Sequence, residues 1–458
     1  MLATTLLPVL VAAGLTADAR QPAPNAILVL VDALRADHLG CYGYERDTSP
    51  RLDRLAAEGA RFETVVAPTS WTLPSHVTLF TALPPESHRV VLGTQRLGDD
   101  ILTLAEVLRD AGWATAGFAA GPYVSSRFGL GQGFETYDES LIAGSLLEAN
   151  AAVTSPRLVE LAREWLDRWE RDAARRPFFL FLHAWDPHFD YVPPPPHDRL
   201  FDPGYDGTLD ARRYARNEAV HAAMDPRDLA HVVALYDGEI RFTDLHLGLV
   251  LDDLERRGVL GETLVVVTAD HGEEFFEHGG KGHRRTLYDE VVLVPLLVRW
   301  PGRVPAGLVV REMAGLADVA PTILALAGVE TPAAFGAPDP AGGRLGRDLT
   351  PLLRTGGGAW TERAAFADLE GVVALARTPD HSFVKSLEQG GGEELHDLAA
   401  DPGQRVNVVA GQPAPAAELR DALRRWRTER ALPRTAEVEA AETDAATLEQ
   451  LRALGYVQ

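Results

Sequence analysis

The chain has 458 residues, 46% hydrophobic and 24% charged, which suits one large globular domain with a smaller one attached. Its net charge of −22 excludes a nucleic-acid backbone and disfavours an anionic membrane surface as partners, so any anionic substrate must be drawn by a local cation. The single cysteine, Cys41, excludes an intrachain disulfide and a cysteine-based zinc site.

The apolar stretch from Leu2 to Leu15 is too short to span a bilayer and runs into Ala17-Asp18-Ala19, a small-x-small pattern. Residues 1–19 therefore read as a signal peptide, although no basic residue precedes the apolar run, and the expected location is secreted or periplasmic. The mature chain is expected to have no transmembrane span.

A continuous apolar run, Ala26 to Val31, reads as a strand buried on both faces and ends at Asp32. A short helix follows from Pro50 to Gly59. In Thr69-Ser70-Trp71-Thr72-Leu73-Pro74-Ser75-His76 a loop turns into a helix, with Pro74 expected at its first position. Thr72 then lies just before a helix N-terminus, where free N–H groups attract an anion. Its hydroxyl is either a helix cap or a nucleophile toward a phosphate or sulfate ester.

Further elements are a helix over 101–111, a strand over 114–118, a helix from Ser155 and a strand over 178–182 that empties into His183 and His188. Pro193 to Pro196 make a stiff loop expected to wall a pocket. A long helix runs from Pro226 to about Arg257, capped by Asp225 and closed by Gly258. A third buried strand, 264–268, ends at Asp270-His271. A strand over 293–299 and a helix over 321–327 complete the alternation. The pattern predicts an α/β fold: a mostly parallel central sheet with helices on both faces, over about 24–335. A Gly/Pro-rich linker, 336–360, leads to a smaller C-terminal α+β part, 361–458, with paired strands near 372–375 and 382–385 and a helix over 418–430.

In open α/β sheets, ligands bind beyond the carboxyl ends of strands. Asp32 and Asp270 are delivered there by two strands, and paired carboxylates repel unless a cation lies between them. With His271 and Thr72 they make a hard, oxygen-rich donor set with one imidazole, suited to one divalent metal (calcium, manganese or zinc). His183, His188, His283 and Lys281 are candidate donors or a general acid.

These residues carry a resemblance. The run from Asn25 to Tyr44, Thr72-Leu73-Pro74-Ser75-His76, and His183-Ala184-Trp185-Asp186-Pro187-His188 resemble the sulfatase family within the alkaline phosphatase superfamily. So do Thr268-Ala269-Asp270-His271-Gly272-Glu273, Tyr288-Asp289-Glu290 and the tail from Leu451 to Tyr456. The resemblance implies an alkaline phosphatase-like fold, metal ligation by Asp32, Asp270 and His271, and Thr72 as both ligand and nucleophile. It places His188 or His183, and His283, near the anionic group or the leaving oxygen, with His76, His183 and Lys281 as substrate contacts. Sulfatases carry Cys or Ser at the Thr72 position and oxidise it to formylglycine; Thr would stop at a ketone. The motif's Arg is His76 here, the usual Asn is His271, and the second acid of the Asp pair is Ala33. Thr with an Asp-His pair instead resembles the phosphodiesterase and phosphoglycerol-transferase branches, which attack with an alkoxide. Asp186, His188, His278 and His283 leave a second metal open without forming a complete set. The expected activity is hydrolysis of a sulfate, phosphate or phosphonate ester on a small molecule, glycan or lipid headgroup. The alternatives are transfer of the phospho group to an alcohol, or a non-catalytic binder of the same fold.

Overall fold

The computed structural model describes residues 23–142, 153–336, 345–355, 360, 364–429 and 438–441. The expected signal peptide, the tail over 451–456 and part of the 336–360 stretch lie outside the described residues.

Eight strands form the central sheet: β1 (Asn25–Val31), β2 (Ala60–Phe62), β3 (Ala114–Phe118), β4 (Thr136–Asp138), β5 (Phe178–Ala184), β6 (Thr263–Ala269), β7 (Leu296–Arg299) and β8 (Leu308–Val310). Their spatial order is β8-β2-β7-β6-β1-β5-β3-β4. Only β7 runs against its neighbours; every other pairing is parallel. The three central strands, β6, β1 and β5, are buried at every position, which is why their sequences are unbroken apolar runs and do not alternate. Their register sets Val31 beside Ala184 and Ala269, so three strands end level and release Asp32 and Asp270 side by side.

The main helices are α1 (Pro50–Glu58), α2 (Thr72–Thr81), α3 (Leu104–Asp110), α4 (Ser155–Arg171), α5 (Pro226–Arg256), α6 (Val319–Ala327) and α7 (Pro413–Glu429). Helix α3 starts later than its apolar pattern implied, because Thr103 and Glu106 close a capping box. Asp225 caps α5 by accepting from the Arg227 N–H at 2.8 Å, as read from the sequence. Strand β7 is shorter than expected because 289–292 form a helical turn and Pro295 follows it.

Helix α2 corrects the reading of its own start. Thr72 is its first residue and Pro74 its third, with the extended Trp71 as the flanking residue and no side-chain cap. None of the first-turn N–H groups has an acceptor within the helix, so a proline fits anywhere in that turn. The Thr72 hydroxyl therefore does not cap the helix.

The C-terminal part holds an antiparallel sheet of β9 (Ala365–Leu369), β10 (Val373–Arg377), β11 (His381–Ser386) and β12 (Glu393–Asp397), with α7 packed on it through Leu419, Leu423 and Trp426. Thr350–Thr355, within the stretch read as linker, form a short helix. One face of this sheet joins the main hydrophobic core through Ala367, Leu369, Leu375 and Val384, and polar ties add to that packing. Arg377 grips Asp289 with two bonds of 2.9 and 2.8 Å, and Asp368 N–H donates to the Pro68 carbonyl at 3.0 Å.

His278 is a third tie. Its Nδ1 lies 2.6 Å from Glu290 Oε1 and its Nε2 3.0 Å from the Gln404 carbonyl. Both partners only accept, so both nitrogens must carry hydrogen and the ring is charged. Burial opposes that charge, but Glu290 outweighs it and holds the pKa above the ordinary 6.5. A group with a raised folded pKa stabilises fully below its unfolded value and loses that contribution as pH rises through the folded value. We expect His278→Ala to lower the melting temperature more at pH 6 than at pH 9. The difference corresponds to about 1 kcal/mol, the usual contribution of one such bond. Equal losses at both pH values would contradict a charged ring.

Candidate metal centre and nucleophile

Asp32 leaves β1 and ties its N–H to the Ala184 carbonyl at 2.9 Å. Ala33 follows in the left-handed region (φ +53°) and donates its N–H to Asp270 Oδ1 at 3.2 Å. That oxygen also accepts the His271 N–H at 3.0 Å, which turns Oδ2 inward. The His271 ring bonds through Nδ1 to the Gly272 carbonyl at 2.8 Å. Its Nε2 then faces Asp32 Oδ1 at 3.6 Å, Asp270 Oδ2 at 3.5 Å and Thr72 Oγ1 at 3.4 Å.

One ligand atom from each of Asp32, Asp270 and His271 lies within 4.8 Å of the others, and all three residues are fully buried. Neither Asp32 oxygen nor Asp270 Oδ2 meets a hydrogen-bond donor among the described residues. Burial and then the charge of Asp270 push Asp32 well above the ordinary carboxylate range. Burial acts on Asp270 too, but the rings of His271, His76 and His183 outweigh it and hold that group low. For His271, burial is overcome by the two carboxylates, which draw its pKa up. The pocket thus demands positive charge. Three orphaned carboxylate oxygens and one imidazole nitrogen fit a divalent cation, and the donor set suits calcium, manganese or zinc.

Thr72 is brought to this cluster by the first turn of α2. One turn later, His76 Nδ1 donates to the Thr72 carbonyl at 2.9 Å and lies 3.7 Å from Asp270 Oδ2. His183, near the end of β5, accepts the Gly121 N–H on Nδ1 at 3.2 Å. Its proton therefore sits on Nε2, which lies 3.3 Å from Asp32 Oδ2 without a hydrogen bond to it, so this nitrogen offers no ligand lone pair. Burial pushes His183 down to about 4; burial, with the neighbouring His183, pushes His76 down to about 3. Both rings are neutral at pH 7.

Two more histidines form an outer tier. His188 donates from Nδ1 to the Phe189 carbonyl at 2.8 Å and stacks on Trp185 with ring centres 3.9 Å apart. His283 lies 4.3 Å from the His271 ring and 4.9 Å from His188, centre to centre. Burial is the first cause that holds both well below 6.5. At 8% exposure of the whole residue, His283 is the most accessible of these residues.

Lys281 does not join the cluster. Its ammonium donates to the carbonyls of Asn217 at 3.0 Å and Val220 at 2.7 Å. The residues that left a second metal open also do not assemble. Asp186 accepts the N–H groups of Thr154 (2.6 Å) and Ser155 (2.8 Å) and so caps α4, while His278 is held by Glu290 and Gln404. The residue that sequence reasoning passed over is Glu273. It is fully buried, its carboxylate oxygens lie 3.2 and 3.4 Å from His283 Nδ1, and burial pushes its pKa up to about 8. Its only signal in the sequence was its place two residues after His271.

Residues 24–329 match the family model described as Sulfatase. Arylsulfatase A of Homo sapiens is 28% identical, over 88% of this chain and 86% of its own length. The N-acetylglucosamine-6-O-sulfatase of Bacteroides thetaiotaomicron is 23% identical, over 84% of this chain and 82% of its own. Among solved structures, the phosphonate monoester hydrolase of Agrobacterium radiobacter superposes with a TM-score of 0.70 at 23% identity, covering 89% of this chain and 96% of that one. A sulfatase-fold neighbour solved with its substrate D-glucosamine-2-N,6-O-disulfate gives a TM-score of 0.73 at 21% identity, covering 90% and 100%. These structural likenesses establish the alkaline phosphatase-like fold.

Proposed function

Because the chain belongs to the sulfatase family of ester hydrolases, we propose that it cleaves a singly charged oxyanion ester with Thr72 as nucleophile, and that phosphodiester or phosphonate monoester chemistry is preferred over sulfate. The observation that carries this reading is the Thr72 hydroxyl, not engaged in capping its helix and 3.4 Å from His271 Nε2 at the edge of the carboxylate pair.

A divalent cation held by Asp32, Asp270 and His271 would neutralise ester charge and lower the pKa of the Thr72 hydroxyl. Thr72 Oγ1, having lost its proton to solvent, forms a bond to the central atom as the bond to the leaving oxygen breaks. His283 donates a proton to that oxygen. Water then attacks the Thr72 ester and gives a proton back to His283, while Thr72 Oγ1 leaves and takes up a proton from solvent to restore the hydroxyl. His76 and His183 are neutral and Lys281 is bound to loop carbonyls, so one cation against two carboxylates leaves little surplus positive charge. This balance favours a monoanion over a dianionic phosphate monoester.

The relatives support the substrate class. One is a phosphonate monoester hydrolase, and others bear the names of glycan sulfatases, so a small molecule, glycan or lipid headgroup carries the ester in our reading. Among the described residues no helix is long and apolar enough to cross a membrane. Export to the periplasm or beyond belongs to the same reading.

The test is a panel of p-nitrophenyl esters (phosphonate monoester, phosphodiester, sulfate and phosphate monoester), each with calcium, manganese or zinc. We expect metal-dependent turnover, fastest on a phosphonate monoester or phosphodiester. Fastest turnover of the phosphate monoester would overturn the charge argument, and fastest turnover of sulfate would overturn the preference for phosphorus.

A further inference from the structure

Glu273 has no part in the steps above, yet its side chain is fully buried beside them. We propose that Glu273 is the positioning residue of His283, fixing the ring so that Nε2 faces the leaving oxygen. This inference rests on His283 being the acid in the reading above.

Both carboxylate oxygens lie nearly equidistant from His283 Nδ1, at 3.2 and 3.4 Å. That nitrogen is thereby committed to the carboxyl, and Nε2 on the far edge of the ring is the one left for chemistry. Glu273 is itself held by its backbone. Its N–H donates to the Glu290 carbonyl at 3.0 Å, and its carbonyl accepts from Arg35 Nη1 at 3.0 Å. Arg35 is fixed in turn by two bonds to Asp37, at 2.9 and 2.7 Å.

The chain around His283 is equally constrained. Gly282 precedes it with φ +84°, a conformation that turns the strand and that a side chain would strain. Arg284 follows and donates its N–H to the Ser70 carbonyl at 2.8 Å, which sets His283 against the loop leading into Thr72. The ring lies between Phe189, 5.0 Å away and nearly parallel, and His271. Packing limits where the ring sits, but among the described residues only the Glu273 carboxyl distinguishes its two nitrogens. An acid two residues past a metal ligand, with its carboxyl on a histidine beside the metal cluster, is an orienting arrangement of the kind that raises the efficiency of proton transfer.

The test uses the full-length metal-loaded protein and whichever ester class it hydrolyses fastest, made with a series of phenols from p-nitrophenol to unsubstituted phenol. A general acid matters more as the leaving group becomes more basic. We expect His283→Ala to lose activity progressively along the series. Glu273→Ala should reproduce that slope with a smaller loss, about 10- to 100-fold on phenol and little on p-nitrophenol. Glu273→Gln keeps a hydrogen-bonding partner for Nδ1 and should restore most of the activity. If Glu273→Ala does not fold by circular dichroism, Glu273→Asp carries the test, since it withdraws the carboxyl by one methylene and should show the same dependence. A loss equal on all leaving groups, or a Gln variant as impaired as the Ala variant, would overturn the positioning role alone. A flat series in His283→Ala would overturn the acid assignment, and this inference with it.

Discussion

Replacing Thr72 by Ala is expected to lower kcat/KM by about 10⁴-fold or more while leaving the melting temperature unchanged. The two halves of that result have separate causes. The catalytic half follows from removing the only hydroxyl among the described residues that touches His271 Nε2. The stability half follows from the start of α2. A Thr that caps a helix loses about 1 kcal/mol of stability when changed to Ala, but Thr72 is the first helical residue and makes no cap bond. A capping Thr would therefore give the opposite pattern, reduced stability with turnover preserved, and that outcome would sink the nucleophile. Thr72→Ser keeps the hydroxyl and is expected to remain within about tenfold of the parent. Quenched single-turnover samples provide the direct check: the peptide containing Thr72 should gain the mass of the transferred group, and in the resting protein it should carry an unmodified Thr. An oxidised residue at position 72 would contradict the chemistry of threonine set out above.

Much of this arrangement was legible in the chain because it is written in strand ends. Continuous apolar runs mark β1 and β6, and acids at their carboxyl ends follow from the general rule for open sheets. What the sequence could not supply was the register that sets Val31 level with Ala269, and hence the contact between Asp32 and Asp270. Side-chain direction was equally hidden. Lys281 sits one residue before a site glycine, yet its ammonium turns to the 217–220 loop, which has no pattern announcing that contact. Asp186 lies within a metal-like cluster of histidines in the sequence, but a helix N-terminus 31 residues earlier claims both of its oxygens. His183 and His188 were interchangeable on paper. The Gly121 N–H separates them, since it fixes the His183 proton on Nε2, facing Asp32. Glu273 was missed for the converse reason: its role depends on one ring ten residues away, across a hairpin.

Asp32→Asn should affect stability and function with opposite signs. In metal-free protein we expect it to melt higher than the parent, because it removes one of two buried carboxylates whose inward oxygens, both of Asp32 and Oδ2 of Asp270, lack donors among the described residues. The pH dependence follows from the raised pKa of Asp32. Between the unfolded carboxylate value, about 3.9, and its folded value, the unfolded chain gives up this proton while the folded chain keeps it. The ionisable group therefore costs the parent stability as pH rises above about 4, and the advantage of the Asn variant should grow over the same interval. Adding metal should reverse the ranking. A ligand at 100 times its Kd stabilises the folded parent by about 2.7 kcal/mol, seen as a concentration-dependent rise in melting temperature. The Asn variant, one carboxylate short, should show little of that rise and lose most of its turnover. The measurement is differential scanning calorimetry of chelator-treated parent and variant, across pH 4 to 8, with and without calcium, manganese or zinc. If metal shifted both proteins equally, Asp32 would not be a ligand. If the chelated parent melted above the variant throughout, the carboxylate pair would be a stabilising element and the pocket's demand for a cation would have to come from elsewhere. The expected inversion places Asp32 and Asp270 in a pair that folds against its own repulsion, which His271 eases and the cation it would hold for Thr72 relieves further.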